Sequence, residues 1–385
     1  MATATAVEQP RSLIGTTYNL LALVVALLAL GVVMAASTAP VRNPALTRYL
    51  VIKHTLWLGL STVALYLAYS VDIRFLRRWS TVLLALSLAS LVGVLFLGVR
   101  INGARRWYRF GLLSFQPSEL FKVALCLYMA DFFEREQARI KTFFKGFLQP
   151  VAIMGLAFGL ILAQPDFGTA LLIAAMTFAM LYIAGIRMIH VLPGALASTP
   201  LLVYLVMKVP ERIERILAFL NPWQDPQGAG YQVIQSLLAL GSGGLFGIGL
   251  GNSRQKLLFL PEANNDFVFA IIGEELGLVG CTVVVALFAL LFWYGVRVAR
   301  RAPDLFSSLL VFGLTLMIGI QAAVNIAVVT CSAPTKGLAL PFVSSGGSSL
   351  VATMVAMGLI LNVASRVEIH TAPPAVGAVK LAGRP

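Results

Sequence analysis

The chain has 385 residues, of which 59% are hydrophobic and 12% charged, with a mean hydropathy of +0.87. That charge content is about half that of an ordinary soluble domain, and no water-soluble core absorbs so much apolar side chain. The formal charge of +13 does not point to nucleic acid, because the Lys and Arg residues sit in short clusters between apolar runs and not on a soluble face. Membrane topology and contact with anionic membrane lipids account for most of them.

A bilayer-spanning helix needs about 20 apolar residues. Apolar runs broken by Arg, Lys, Pro or Gly predict ten spans, at 13–36, 49–69, 79–99, 117–133, 148–164, 168–186, 189–208, 267–296, 306–331 and 348–365. The expected fold is therefore all-α: a polytopic membrane domain over 13–366, with a cytoplasmic segment at 1–12 and a disordered cytoplasmic tail at 367–385. Ala35, Ala36 and Ser37 mimic a signal-cleavage site, but the run before them exceeds the about 7–15 residues of a signal peptide's apolar region, so the first helix is read as retained. Cys126, Cys281 and Cys331 are far apart and lie in or beside apolar runs, as small packed hydrophobes do.

An even number of spans puts both termini on one side. The connections holding Arg74, Arg77 and Arg78, then Arg135, Arg139, Lys141 and Lys145, then Arg297, Arg300 and Arg301, are the cytoplasmic ones by the positive-inside rule. The opposite-side loop with Arg100, Arg105, Arg106 and Arg109 breaks that rule, which binding of an anion or of lipid headgroups would explain. The fifth and sixth spans are parted only by Gln164-Pro-Asp-Phe-Gly-Thr169, a tight turn or re-entrant bend. The longest connection, 209–266, is expected on the outer side and is too long for a plain turn. It opens on an amphipathic Pro210–Ile216 segment suited to lying on a surface, and it contains the Gly-rich run Gly241–Gly251. No Gly-Lys-Ser/Thr ends that run, so close backbone packing or a re-entrant turn is its reading, not a phosphate loop.

Five polar elements share the outer side on this topology: Arg105-Arg106-Trp107, Gln116–Glu119 with Lys122, Gln164-Pro-Asp166, Pro261–Asp266, and Leu340–Ser349. Glu119 and Lys122 share a helix face and either neutralise each other or serve a site, since ionisable residues at this depth are costly. Asp166 caps a helix or contributes to the site. Asp266 precedes a span as either a capping residue or a catalytic carboxylate. Glu274 and Glu275 are expected to pair with a cation from a neighbouring helix. Gln321 and Asn325, four apart, line a cavity or bond between helices.

Asn221–Ser236, the Gly-Ser-Gly-Gly-Leu-Phe-Gly run, Phe259-Leu-Pro-Glu262, Gly273-Glu-Glu-Leu-Gly277 and Pro334–Ser349 together resemble the SEDS family of FtsW, RodA and SpoVE. The resemblance implies a ten-span polymerase that joins lipid II disaccharides into peptidoglycan strands on the outer membrane face, beside a class B penicillin-binding protein and other division or elongation proteins. It implies that Asp266 is catalytic. Arg105, Arg106, Trp107, Glu119, Lys122, Asp166, Glu262, Lys336, Ser344 and Ser348 are the expected substrate-binding set. Thr335-Lys336-Gly337 and the compact Gly251–Lys256 are more like the division branch, FtsW, than the elongation branch, RodA. Two departures stand out: Asn264-Asn265 where the family usually has His-Thr, and Ser345 where it usually has Tyr.

Chemically, Asp266 would take the proton of an acceptor sugar hydroxyl. Arg105, Arg106, Lys122 or a divalent cation (Mg2+ or Mn2+) would hold the departing diphosphate, Trp107 would stack on a sugar, and direct displacement would invert the anomeric centre. No cofactor is otherwise implied. A lipid II flippase would use a similar groove but with polar groups near the midplane, and a pure scaffold would not need the carboxylate.

Overall fold

The computed structural model describes residues 15–38, 44–101, 103–111, 113–256, 260–261 and 264–371. Glu262, the 1–12 segment and the tail beyond Thr371 lie outside the described residues. Twelve α-helices follow one another: α1 (Thr16–Ser37), α2 (Pro44–Ser70), α3 (Ile73–Leu97), α4 (Pro117–Arg135), α5 (Gln149–Ala163), α6 (Phe167–Ile183), α7 (Met188–Met207), α8 (Pro210–Leu220), α9 (Tyr231–Gly243), α10 (Val268–Arg301), α11 (Leu305–Val329) and α12 (Gly347–Thr371).

Ten of these occupy the ten expected spans. Eight are long and apolar enough to cross a membrane by length and composition. The other two are α6, with 17 residues, and α4, which carries Glu119, Lys122, Asp131, Glu134 and Arg135. The molecule is a multi-pass membrane protein. Its outward-facing side chains are apolar, as at Tyr66, Leu67, Ile189, Leu196 and Leu201, where lipid replaces water as solvent.

The polar residues of α4 explain its position. Fifteen of its side chains, Glu119, Lys122 and Asp131 among them, are buried, and it packs against α3, α11 and α12, which screen its charges from lipid. At its far end Asp131 binds Arg77 at 3.2 Å, Arg135 at 3.0 Å and the Ser80 hydroxyl at 2.8 Å. The Arg74–Arg78 cluster, read as a connection, is thus the first turns of α3, opened by Asp72 accepting from the Arg74 N–H at 2.9 Å. α12 runs five residues into the expected disordered tail, its last described turns following an Arg366–Asn362 side-chain bond of 3.0 Å.

One small antiparallel sheet departs from the all-helical plan among the described residues: β1 (Val99–Ile101), β2 (Ala104–Phe110) and β3 (Leu113–Phe115). It docks on the end of α3, where the Tyr108 hydroxyl donates to Ser90 O at 3.1 Å.

Within the 209–266 connection, α8 is the expected amphipathic helix and α9 packs along α10. The Gly-rich run then fits against a break in α10 at Gly277, where φ is +66°. The Leu278 and Val279 N–H groups donate to Gly244 O and Leu245 O, while Ile248 and Gly249 N–H groups donate to Glu274 O and Glu275 O, all within 3.1 Å. A broken helix inside a bilayer frees backbone groups that must find partners, and here the glycine run supplies them.

Gly277→Ala places a methyl carbon about 2.5 Å from Leu245 O in a backbone region that L side chains rarely adopt. It is expected to destabilise the fold by about 1–3 kcal/mol, read as a lower thermal midpoint in detergent, whereas Gly155→Ala, which meets nothing within 4 Å, leaves the midpoint unchanged or raised.

Candidate functional site

At the N-terminal end of α4, Pro117 starts the helix, and the i,i+3 spacing brings Lys122 Nζ 3.0 Å from Glu119 Oε2, both side chains almost fully buried. Lys122 also donates to Gln321 Oε1 on α11 at 2.8 Å. The Gln321 amide in turn donates to Ala339 O at 2.9 Å and to Ser349 Oγ at 3.3 Å. One turn further along α11, Asn325 Nδ2 donates to Leu338 O at 2.7 Å and to Asp266 O at 2.8 Å. A buried ion pair is thereby extended, through two amides, into the segment between α11 and α12 and to the backbone of Asp266.

The same segment is fastened to the residues ahead of α10. Ser344 Oγ accepts from Leu340 N–H at 2.7 Å and donates to Asn265 O at 2.5 Å, and Ser345 N–H donates to Asn264 O at 3.1 Å. Phe267 occupies the capping position of α10, so Asp266 sits one residue ahead of the helix, half-buried. Its carboxylate lies against Gly337: a methyl group on that glycine would stand 2.9 Å from Asp266 Oδ2. A side chain at 337 would crowd the carboxylate.

Next to Gly337, Lys336 reaches over the Phe167 ring, with Nζ 4.8 Å from its centre, and Arg212 of α8 lies 5.0 Å from the same ring. Burial pushes the Lys336 ammonium below its ordinary pKa, with Arg215 and Arg212 adding repulsion against the attraction of Asp166. Lys336 and Arg212, the latter also donating to Leu205 O at 2.5 Å, thus gather two cations on one ring. Asp166 itself caps α6, accepting from Thr169 N–H at 3.1 Å and Thr169 Oγ1 at 2.9 Å, and receives Gln116 Nε2 at 3.2 Å. Asp166 thus caps the helix as expected.

Hydrogen bonds thus tie Glu119, Lys122 and Ser344 to the segments that hold Asp266, while Lys336 lies within electrostatic reach of Asp166. Arg105 and Arg106 both donate to backbone carbonyls. Arg106 donates to Gln164 O at 2.7 Å and Pro165 O at 2.5 Å, holding the α5–α6 break, and Arg105 donates to Leu95 O at 3.1 Å. In a break where the helix ladder stops, those carbonyls need donors, and guanidinium groups supply them. Trp107 is half-buried on β2 opposite Val99. Ser348 is buried with its hydroxyl unpartnered.

Glu275 pairs with Lys256 at 3.3 Å and accepts from the Ser37 hydroxyl at 2.6 Å. Glu274 accepts from the Ser253 hydroxyl and from Arg254 N–H at 3.0 Å. These carboxylates therefore anchor the 251–256 turn, and the expected cation from a neighbouring helix is replaced by a loop lysine and backbone N–H groups. The residues that sequence reasoning passed over are Arg212 and Arg215. Their signal was the charged face of the amphipathic segment, read as a surface property alone.

The FtsW/RodA/SpoVE family model, described as a cell cycle protein, matches residues 18–369. A probable peptidoglycan glycosyltransferase FtsW from Trichlorobacter lovleyi is 42% identical, covering 91% of this chain and 93% of that one. Stage V sporulation protein E of Bacillus subtilis is 44% identical over 81% of this chain and 86% of its own length. Among solved structures, a chain from a peptidoglycan synthase complex, studied for its coordination of polymerization and crosslinking, superposes with a TM-score of 0.76 at 34% identity, covering 91% of this chain and 98% of that one. The rod shape determining protein RodA of Thermus thermophilus gives 0.67 at 32% identity, covering 90% and 96%.

Lys122→Met leaves the Glu119 carboxylate buried beside no cation and is expected to destabilise the protein by about 3–5 kcal/mol. Removing both charges together, as Glu119→Leu with Lys122→Met, recovers most of that loss in detergent melts. For Lys336 the folded pKa lies below the unfolded value near 10.5, so the unfolded chain holds the extra proton in between. Stability therefore rises with pH through the folded pKa and levels off above the unfolded one. Lys336→Met should remove that alkaline gain from the pH dependence of the melting temperature.

Proposed function

The chain belongs to the FtsW/RodA/SpoVE family, and on that footing we propose that it is a peptidoglycan glycosyltransferase that polymerises lipid II on the outer face of the bacterial cytoplasmic membrane. In this reading both termini are cytoplasmic, and the Asp266 end of the bundle faces outward. The names of its relatives support the activity. The FtsW-like Thr335-Lys336-Gly337 supports septal synthesis in division, with a class B penicillin-binding protein as the crosslinking partner.

The observation that carries the mechanism is the Asp266 carboxylate, half-exposed against Gly337, whose chain neighbour Lys336 shares the Phe167 ring with Arg212. The acceptor sugar hydroxyl gives its proton to Asp266 as its oxygen bonds to the anomeric carbon of the donor. The bond from that carbon to the lipid diphosphate breaks, and its electron pair leaves on the diphosphate. Lys336, with Arg212 and Arg215, holds the leaving group, a role fixed cations perform best in a water-poor site. Single displacement of this kind inverts the anomeric centre.

Metal-ligating side chains do not gather in threes among the described residues. A Mg2+ or Mn2+ ion carried by the diphosphate needs only one or two protein carboxylates, and Asp266 fits that requirement. Such an ion would offset charge on the leaving oxygens when bound.

Asp266→Asn keeps the size and the backbone bond from Asn325 while removing the base. With labelled lipid II and the partner transpeptidase present, the folded variant is expected to lose about 10²–10⁴-fold in glycan synthesis. Equal synthesis by the two proteins would refute the assignment, and lipid II scrambling by the variant in proteoliposomes would favour a carrier.

A further inference from the structure

A cavity of about 210 Å³ lies between α1, α2 and the two turns fastened together at 264–265 and 344–345. Lys53, His54 and Trp57 of α2 line it from one side and Asn264, Asn265 and Ser345 from the other. Val32 and Val51, also on its wall, are 41% and 47% exposed on the apolar surface of the bundle, so the cavity borders the lipid phase.

Lys53 and His54 stand within the apolar span Thr47–Ser70. Ionisable side chains at such depth are costly and ordinarily paired. Lys122 has Glu119, and Lys256 has Glu275. Neither Lys53 nor His54 makes a hydrogen bond or ion pair with any described residue, and among the described residues no acidic one lines the cavity. Trp57 is 5% exposed, and its indole N–H is buried without a partner. An ammonium, an imidazole and two carboxamides in a partly desolvated cavity, with a spare indole donor beside them, are the complement of anionic oxygens.

Asp266 links this cavity to the cation site already described. Asn265, on the cavity wall, precedes it in the chain, and Gly337, next to Lys336, packs on its carboxylate. The next step rests on the glycosyl-transfer reading. Polymerisation brings two lipid-linked molecules to one carboxylate, each bearing a diphosphate, of which one leaves and one stays. We propose that the Lys53–His54 cavity binds the diphosphate of the second substrate, the one that supplies the hydroxyl, while Lys336 and Arg212 hold the diphosphate that leaves.

The test counts ligands and does not depend on turnover. The full-length protein in nanodiscs of zwitterionic lipid is titrated with farnesyl diphosphate and examined by native mass spectrometry. The wild type is expected to take up two equivalents, and so is Asp266→Asn. Lys53→Met should retain one, with the second weakened at least about tenfold, as loss of a charge-assisted contact would give. Lys53→Arg should keep both. His54→Phe should weaken the same equivalent, which keeps the test decisive if Lys53→Met fails to insert.

A single equivalent in the wild type, or two undiminished equivalents in Lys53→Met and His54→Phe, would overturn the proposal. Displacement of the Lys53-dependent equivalent by phosphatidylglycerol at equal concentration would also overturn it, assigning the cavity to a bilayer headgroup. Normal polymerisation by Asp266→Asn would defeat the catalytic reading and leave the stoichiometry standing. An inactive Asp266→Asn with a failed stoichiometry would defeat this proposal alone.

Discussion

A lysine and a glutamate buried in the same helix within a bilayer constrain everything around them. Each charge taken out of water loses several kcal/mol of solvation, and mutual attraction restores this only when the remaining hydrogen-bonding capacity is also filled. The Glu119–Lys122 pair meets that condition by recruiting Gln321, which then binds the Ala339 carbonyl and the Ser349 hydroxyl. A requirement of desolvation in α4 thus becomes a positional constraint on the segment between α11 and α12. Asn325 repeats the arrangement one turn away and carries it to the backbone of Asp266. Glu119 and Lys122 thus reach the segment beside Asp266 through Gln321.

A second brace acts on the other side of Asp266. The first half of α10, which begins just after that residue, is cut off from the second half at Gly277 and held by backbone bonds to the glycine run and by the Glu274 and Glu275 carboxylates to the 251–256 turn. Backbone-to-backbone contact of this kind tolerates little movement, because a glycine contact has no side chain to rearrange. Asp266 is therefore held at both ends of a short segment while its carboxylate stays half-exposed. Rigid support beneath a reactive group with an open front is the arrangement that preorganised catalysis needs.

Much of this was legible in the sequence because a bilayer imposes a coarse rule on hydropathy, and all ten apolar runs are helices. Boundaries failed where charge was read as loop: Arg74, Arg77 and Arg78 lie in α3, where Arg77 pairs with Asp131 and Glu134 of α4 across the helix interface. The pairing partner was 54 residues away and invisible to a local reading. Arg105 and Arg106 were legible as unusual but not in what they do. Their excess charge suggested a ligand, and nothing in the local sequence signalled that they also donate to carbonyls at the α5–α6 break and at the end of α3. Arg212 and Arg215 were hidden for the converse reason, since an amphipathic helix explains its own charges without reference to a site. Asp266 itself could not be distinguished by spacing from a helix cap, and the resemblance to a family, not the pattern of charges, singled it out.

If Asp266 meets the acceptor hydroxyl while basic side chains take the diphosphates, a structure of the full-length Asp266→Asn protein trapped with lipid II is the most direct measurement. It is expected to show a sugar hydroxyl within about 2.6–3.2 Å of the Asn side chain at 266 and a diphosphate against Lys336. Density that places the reacting sugar away from residue 266, with Lys336 still turned onto Phe167 and no anion beside it, would refute this role for Asp266.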